Sequence, residues 1–439
     1  MDNKMQASDF ETTDFLTAPI SARLLPSTSF IDDNGKLFIG SVAVSEIVKE
    51  FGTPLFIYDE ENLRQNILEA KAAFSSGVAY ASKAFLCKAM AALVAEYGIN
   101  IDVSSLGEMY IAMESGVPGE NIVLHGNNKS YAEIVFAVEN GIKTVIDSSD
   151  EINLVHAVTS NLKKKCRALI RVTPGVEAHT HEFIKTGHED SKFGFPLADS
   201  VARSAIEELR DDVYVDLIGV HSHIGSQIFE LPPYAEAMAI LAPIISEYGF
   251  SELCIGGGLG VPYLGNEYAP SISEWAQAAM TAAEQAGISK EVAVTAEPGR
   301  SIVARTAITC YTVGSIKDIP QVRTYLAVDG GMSDNPRPIL YGSGYEVFLP
   351  SRANAVREKA VRVVGKHCES GDILVSNGFI PFDTRVGDTI ATPVTGAYGY
   401  SMASHYNRLQ RPAVVFVRDG NAKLVCRRES LEDLLRFDM

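Results

Sequence analysis

Several short runs in this 439-residue chain bring together residue types that can do chemistry. Ala81-Ser82-Lys83-Ala84-Phe85 ends an apolar run on a lysine. A lysine in such a place is partly desolvated, which lowers its pKa and favours Schiff-base chemistry with a carbonyl. Taken alone, a lysine paired with a carboxylate or reaching into water is the simpler account. His221-Ser222-His223-Ile224-Gly225-Ser226 offers an imidazole that can stack on a planar ring. The two histidines could also bind a metal, as could His179 and His181, but no carboxylate-flanked helical His-x-x-x-His accompanies either pair. Metal ligation is therefore the weaker reading and no metal is assigned. For any one of these residues, a hydrogen-bonded core histidine is the plain alternative.

Gly256-Gly257-Gly258-Leu259-Gly260 lets backbone N–H groups come close to a phosphate. No Gly-Lys-Ser/Thr follows it, and it does not follow the first strand of a βαβ unit, so it is neither a Walker loop nor a dinucleotide fingerprint. Glu297-Pro298-Gly299-Arg300 supplies a carboxylate that can hold a proton on a heteroaromatic nitrogen, or a structural Glu–Arg pair. Further clusters stand at Asp329-Gly330-Gly331-Met332 with Arg337 and Tyr341, at Cys368 to Asp372, and at Gly396-Ala397-Tyr398. Each is also compatible with ordinary turn chemistry.

These residues need elements to position them. Apolar, β-branched runs recur at 54–59, 77–83, 100–105, 121–126, 143–148, 167–172, 216–225, 252–258 and 293–299, with helical patterns such as KAMAALVAEYG and KSYAEIVFAVENG between them. Repeated βα alternation implies a parallel sheet. With the first run set aside, eight strands remain, the number that closes a (β/α)8 barrel; an open doubly wound sheet is the alternative. Lys83, His223, the glycine run and Glu297 all then fall at C-terminal strand ends, where barrel sites lie. After about residue 300, short β-rich runs separated by turn residues predict a mostly antiparallel β-sandwich or barrel domain, completed by strands from before residue 50. The expected divisions are a flexible arm over 1–25, an N-terminal segment of the β domain over 26–50, the barrel over 51–300 and the C-terminal β domain over 301–439.

Composition excludes some classes of partner. A net charge of −17 argues against nucleic acid and acidic membrane surfaces. The six cysteines are scattered with no C-x-x-C pair, which speaks against a disulfide scaffold or thiolate zinc site and for a reducing cytoplasm. The acidic N-terminus has no apolar run of signal-peptide type, and no stretch is long enough to span a bilayer.

The runs AYASKAF, IDVSSLGE, VLHGNNKS, RVTPGVEAHTHEFIKTG, EDSKFGF, HSHIGSQI, GGGLGVPY, AEPGRSIVA, VDGGMSDNPRPILYG, CESGD and GAYGYSMASHYN occur in this order. From about residue 37 to its end, the chain thereby resembles the diaminopimelate decarboxylases. These are fold-type III pyridoxal 5'-phosphate (PLP) enzymes with an alanine-racemase-like barrel and a β domain. The resemblance implies that Lys83 is the Schiff-base lysine and that His223 stacks on the cofactor ring. It implies a phosphate site of Ser226, Gly256, Gly257 and Gly258, with Arg300 and Tyr398, and that Glu297 faces the pyridine nitrogen. Arg300, Arg337, Tyr341, Glu369 and Tyr398 match the substrate-binding set. Cys368 matches the proton donor, which in that family comes from the other subunit, so a homodimer with shared sites is implied.

The far end of diaminopimelate carries a carboxylate, which suits Arg337 and Tyr341, and an ammonium, which suits Glu369. Two departures stand near that end: Gly344, where the family more often has a bulkier residue, and Lys366-His367 before Cys368. The resemblance implies decarboxylation of meso-2,6-diaminopimelate to L-lysine. Competing readings are a related decarboxylase for ornithine, arginine or a carrier-tethered amino acid, an amino-acid racemase, and a catalytically inactive binding protein. The retained Arg337, Tyr341 and Glu369 count against the first. Glu297 counts against the racemase, which in this fold places an arginine opposite the ring nitrogen. The presence of Lys83, Glu297 and Cys368 together counts against the last.

Overall fold

The computed structural model describes residues 14–176 and 191–439, so His179 and His181 lie outside the described residues. The chain forms two compact units. One holds Asn66–Val261 and Ala269–Ile302; the other holds the chain up to Gln65, Pro262–Tyr268 and Val303–Met439.

The first unit is a parallel barrel. Its strands are β1 (Ala79–Ala81), β2 (Asn100–Val103), β3 (Ile122–Leu124), β4 (Lys143–Ile146), β5 (Cys166–Thr173), β6 (Val215–His221), β7 (Glu252–Cys254) and β8 (Ala293–Thr295). They pair in sequence order, each parallel to the next. The ends meet in a parallel bridge between Val78 and Ala296, where Ala79 N–H donates to Ala296 O (2.9 Å) and Ala81 N–H to Pro298 O (3.1 Å). The eight runs close on themselves, and the open sheet is excluded. Helices begin where a serine can cap them: Ser105, Ser130, Ser148 and Ser271 each accept the N–H of the glutamate three residues on. At Ser130 and Ser271 the glutamate reaches back to complete a capping box.

Strand alternation decides what fills the barrel. Lys143 on β4 and Glu252 on β7 meet across the interior at 2.6 Å, and Thr295 on β8 donates to the same carboxylate at 3.2 Å. Two residues further along, Val145 and Cys254 pack in one buried cluster with Val123 of β3 and Leu169 of β5. Gly219 on β6 leaves room for this layer, since a Cβ there would collide with the Glu252 backbone.

The second unit is built on a mixed, mostly antiparallel sheet. Its strands are β9 (Ala307–Ile319), β10 (Arg323–Val328), β11 (Lys359–Val364), β12 (Ile373–Ile380), β13 (Thr389–Pro393), β14 (Ala413–Arg418) and β15 (Asn421–Cys426). The order is β12-β11-β10-β9, then Leu55–Asp59, then β14-β15, with β13 beside β9. The chain before the barrel contributes Leu55–Asp59, antiparallel to β9 and parallel to β14. The strands before residue 50 do not join this sheet: Phe30–Ile31, Leu37–Ile39 and Val42–Ala43 form a small sheet of their own around the Asn34-Gly35 turn. The physical reason lies in the side chains. Every residue of Leu55–Asp59 is buried, as a central strand requires, whereas the earlier strands are two or three residues long and partly exposed. The expected loose arm also needs correction from residue 16 onward. Leu16, Ile20, Leu24 and Leu25 are buried, and Arg357 binds this segment through its backbone N–H to Thr17 O (2.8 Å) and its Nε to Ala18 O (2.6 Å). Among the described residues no helix is long and apolar enough to cross a membrane.

Removing one partner of the buried Lys143–Glu252 pair leaves an uncompensated charge inside the barrel. Glu252→Ala is expected to cost about 3–5 kcal/mol in urea unfolding, and Lys143→Met/Glu252→Leu to recover most of it. A single-variant cost below about 1 kcal/mol would show that the pair does not hold the barrel floor.

Candidate active site

The alternation that fills the barrel floor also arms its mouth. Counting on in steps of two from inward-facing positions gives His125 after Val123, Asp147 after Val145, Arg171 after Leu169 and Glu297 after Thr295. All four are buried, as are Asp102 on β2 and His221 on β6. The C-terminal end of the barrel is therefore a ring of buried charged and polar groups above an apolar layer.

Glu297 is its centre. His221 Nε2 lies 3.0 Å from one carboxylate oxygen and His125 Nε2 lies 2.9 Å from the other. The two imidazoles meet edge to face, with ring centroids 4.8 Å apart. Burial alone would push the Glu297 carboxyl pKa up, but His125 and His221 outweigh it and hold the group well below the usual carboxylate range. His221 moves the other way. Burial pulls its pKa down to about 4 against the attraction of Glu297, so at neutral pH it is a neutral ring donating its Nε2 proton. Asp102 stands 3.7 Å from His125. Its carboxyl pKa is raised by burial, an effect that the charges of His125 and Lys83 partly offset.

Lys83 sits in the single helical turn Ser82–Ala84 that follows β1, with its side chain exposed at the mouth. Its ammonium field also reaches His223. Burial first, then Lys83 and Arg171, hold the pKa of His223 well below the ordinary histidine value. His223 is thus a neutral ring, and its Nδ1 accepts from Gly257 N–H at 3.2 Å. The glycine run threads between the ends of β6 and β8. Gly256 (φ +66°) and Gly258 (φ +110°) adopt backbone that other residues rarely take, and a Cβ on Gly256 would fall 2.6 Å from Ser222 O. Beside the run, Arg300 donates to Ser226 Oγ at 3.0 Å. Lys83, His223, Ser226, Gly256, Gly257, Gly258, Glu297 and Arg300 thus share one barrel end.

Arg337, Tyr341, Cys368, Glu369 and Tyr398 belong to the second unit. Arg337 opens the short helix Arg337–Tyr341 and is only 4% exposed. Its guanidinium lies 4.2 Å over the Tyr263 ring and donates to Tyr345 Oη at 2.6 Å, while its buried Nε has no hydrogen-bond partner among the described residues. Burial opposes its charge, and Tyr263 and Tyr345 more than compensate, raising its pKa. Tyr398 is half-buried with φ +59°, a conformation a tyrosine keeps only where its surroundings impose it. Cys368 and Glu369 are exposed neighbours on the loop between β11 and β12.

Asp102, His125 and Arg171 were not singled out from the sequence, nor were Tyr263 and Tyr345. Step-of-two counting reaches His125 and Arg171 once strand pairing shows which way each strand faces. The two tyrosines carry no comparable signal, since both stand in loops.

The barrel end fits pyridoxal phosphate. It offers a lysine, a neutral imidazole, a glycine cradle that side chains would fill, an adjacent guanidinium and hydroxyl, and a buried ionised carboxylate. His125, His221 and Glu297 by count could also hold a divalent ion, their ligand atoms lying within 4.8 Å of one another. Such a site would leave the cradle and Lys83 without a part.

Residues 60–304 match the family model described as the pyridoxal-dependent decarboxylase, pyridoxal binding domain. The diaminopimelate decarboxylase of Halalkalibacterium halodurans is 45% identical over 427 residues, covering 94% of this chain and 97% of the relative. That of Mycobacterium tuberculosis is 41% identical over 440 residues, covering 96% and 98%. The crystal structure of diaminopimelate decarboxylase from M. jannaschii in co-complex with L-lysine superimposes with a TM-score of 0.87 at 32% identity, over 94% of this chain and 98% of that one.

The depressed pKa of His221 sets a pH dependence. Below about pH 6.5 the unfolded chain protonates this histidine, whereas the folded chain does not until about pH 4, so its contribution to stability is lost as pH falls through that window. His221→Gln, which keeps a donor for Glu297, should shrink the loss of unfolding free energy between pH 7 and pH 5 by about 2 kcal/mol in urea titrations. An unchanged difference would mean that His221 titrates alike in both states.

Proposed function

The chain belongs to the diaminopimelate decarboxylases and converts meso-2,6-diaminopimelate to L-lysine and CO2, the last step of lysine biosynthesis; on that premise we propose how its residues divide the work. Pyridoxal phosphate, once bound, supplies the electron sink for the pair left on carbon when CO2 departs. Lys83 would tether it, the neutral ring of His223 would lie against its face, and Ser226, Arg300, Tyr398 and the N–H groups of Gly256, Gly257 and Gly258 would hold its phosphate. Glu297 supplies the negative charge that keeps a proton on the ring nitrogen. The observation that carries this reading is the ionised Glu297 held between His125 and His221.

Substrate choice follows from charge. Arg337 is a buried cation with an unmet donor, which suits the distal carboxylate of diaminopimelate. Glu369 suits the distal ammonium, and Arg300, Tyr341 and Tyr398 complete the set. Ornithine and arginine have no distal carboxylate and would leave Arg337 unpaired, a penalty that disfavours them. Cys368 holds the proton delivered from its Sγ to the carbon that has lost CO2. Cys368 and Glu369 would enter the site of a second copy, making a homodimer with shared sites. Six cysteines, none of them joined in a disulfide, suit the reducing cytoplasm, where we place the protein.

Purified, cofactor-loaded protein should release CO2 from meso-diaminopimelate and form L-lysine, with ornithine, arginine and lysine inert. Turnover of ornithine or arginine above diaminopimelate would overturn the assignment of Arg337 and Glu369. Arg337→Ala should lower kcat/KM for diaminopimelate by about 100-fold, equivalent to about 3 kcal/mol, while leaving cofactor absorbance in place. Mixing Lys83→Ala with Cys368→Ala protein under conditions of subunit exchange should restore activity, because one site of each mixed dimer is then intact. Mixtures that stay inactive would rule out the shared site.

A further inference from the structure

Cys368 stands on a loop whose backbone is held by two other loops of the same unit. Lys366 N–H donates to Gly330 O at 3.0 Å, and the Asp372 carboxylate accepts from the N–H groups of Met332 (2.6 Å) and His367 (2.9 Å). Between Lys366 and Ser370 only His367 is buried, so its side chain is the anchor of the segment. Its Nε2 lies 2.8 Å from Ser333 Oγ and its Nδ1 3.2 Å from Asn407 Oδ1. The backbone N–H of Cys368 donates to that same oxygen at 3.1 Å. A backbone N–H can only donate, so the Asn407 atom is the carbonyl oxygen, and the proton between it and His367 belongs to Nδ1. Nε2 faces the Ser333 hydroxyl on the other side of the ring. The imidazole also stacks on Tyr406, with centroids 5.2 Å apart and an interplanar angle of 27°. Asn407 has φ 51°, a left-handed conformation that asparagine tolerates better than most residues.

We propose that His367 and Asn407 are positioning residues for Cys368, fixing its backbone so that the thiol faces the carbon it protonates. The proposal rests on the reading of Cys368 as proton donor. The cysteine side chain has one rotatable bond before sulfur, so backbone position and a single χ angle decide where the thiol goes. One carbonyl oxygen receives both the Cys368 N–H and the His367 ring N–H, so the cysteine backbone and its buried anchor move together.

The test compares kcat and KM for meso-diaminopimelate, with unfolding temperatures, in the cofactor-loaded wild type, Asn407→Leu, Asn407→Asp, Cys368→Ala and Asn407→Leu/Cys368→Ala. Asn407→Leu removes the shared acceptor and should lower kcat by about 30-fold with KM within about twofold, since protonation is impaired and binding is not. Asn407→Asp retains an acceptor oxygen and should stay within about threefold of the wild type. In the Cys368→Ala background, Asn407→Leu should add no further loss, because the residue acts only through the thiol. Should Asn407→Leu fail to fold, His367→Gln takes its place in both backgrounds with the same expectation. Wild-type kcat in Asn407→Leu, or an equal fractional loss with and without Cys368, would overturn the proposal while leaving Cys368 as donor. Undiminished kcat in Cys368→Ala would remove the donor reading and this proposal together.

Discussion

A carboxylate deep in a barrel end stays ionised only if its neighbours make that state cheaper than protonation. Glu297 meets that condition through two imidazoles, one on each oxygen. Much of the barrel is arranged around this contact. His125 and His221 come from β3 and β6, so they converge on Glu297 only when the strands close in the observed order and register. Closure itself is made next to Glu297, by the bridge of Ala296 to Val78 and the bond from Ala81 N–H to Pro298 O. The glycine run passes so near that a Cβ on Gly257 would strike the Glu297 carbonyl. One ionised group thus joins the closure of the sheet, the glycine cradle and, on the proposed reading, the electronics of the cofactor.

Electrostatics then separates two histidines from their ordinary behaviour. His221 and His223 are both kept neutral by burial, but for different work. The neutral ring of His221 donates a proton to Glu297 without competing for charge. His223 presents an uncharged face, as its proposed place against the cofactor ring would require. Lys83 adds its field to the same end and helps keep His223 neutral. In the second unit the logic is inverted. Arg337 is buried but kept charged by aromatic rings and a hydroxyl, a cation prepared for an anion.

Much of this was legible in the sequence, and the reasons differ by region. The eight barrel strands were visible as apolar runs because both faces of each are covered. Lys83, His223, the glycines and Glu297 were visible because they interrupt those runs at one end. Asp102, His125 and Arg171 were not, because their importance depends on which way each strand faces, and pairing fixes that. Tyr345, which the sequence did not single out, accepts from the Arg337 guanidinium from the loop after the helix. Leu55–Asp59 looks like a barrel strand, yet it pairs with β9 and β14, since a fully apolar strand suits either sheet. The anchoring of residues 16–25 escaped notice because one distant arginine, Arg357, does much of it.

The measurement that bears most directly on this account is the turnover of Glu297→Gln. Glutamine keeps the size of the side chain and one acceptor oxygen but not the charge. With cofactor content verified by absorbance, saturating meso-diaminopimelate should yield CO2 at a kcat at least about 100-fold below the wild type. Turnover within a few-fold of the wild type, at full cofactor occupancy, would contradict the claim that the charge on Glu297 drives the reaction.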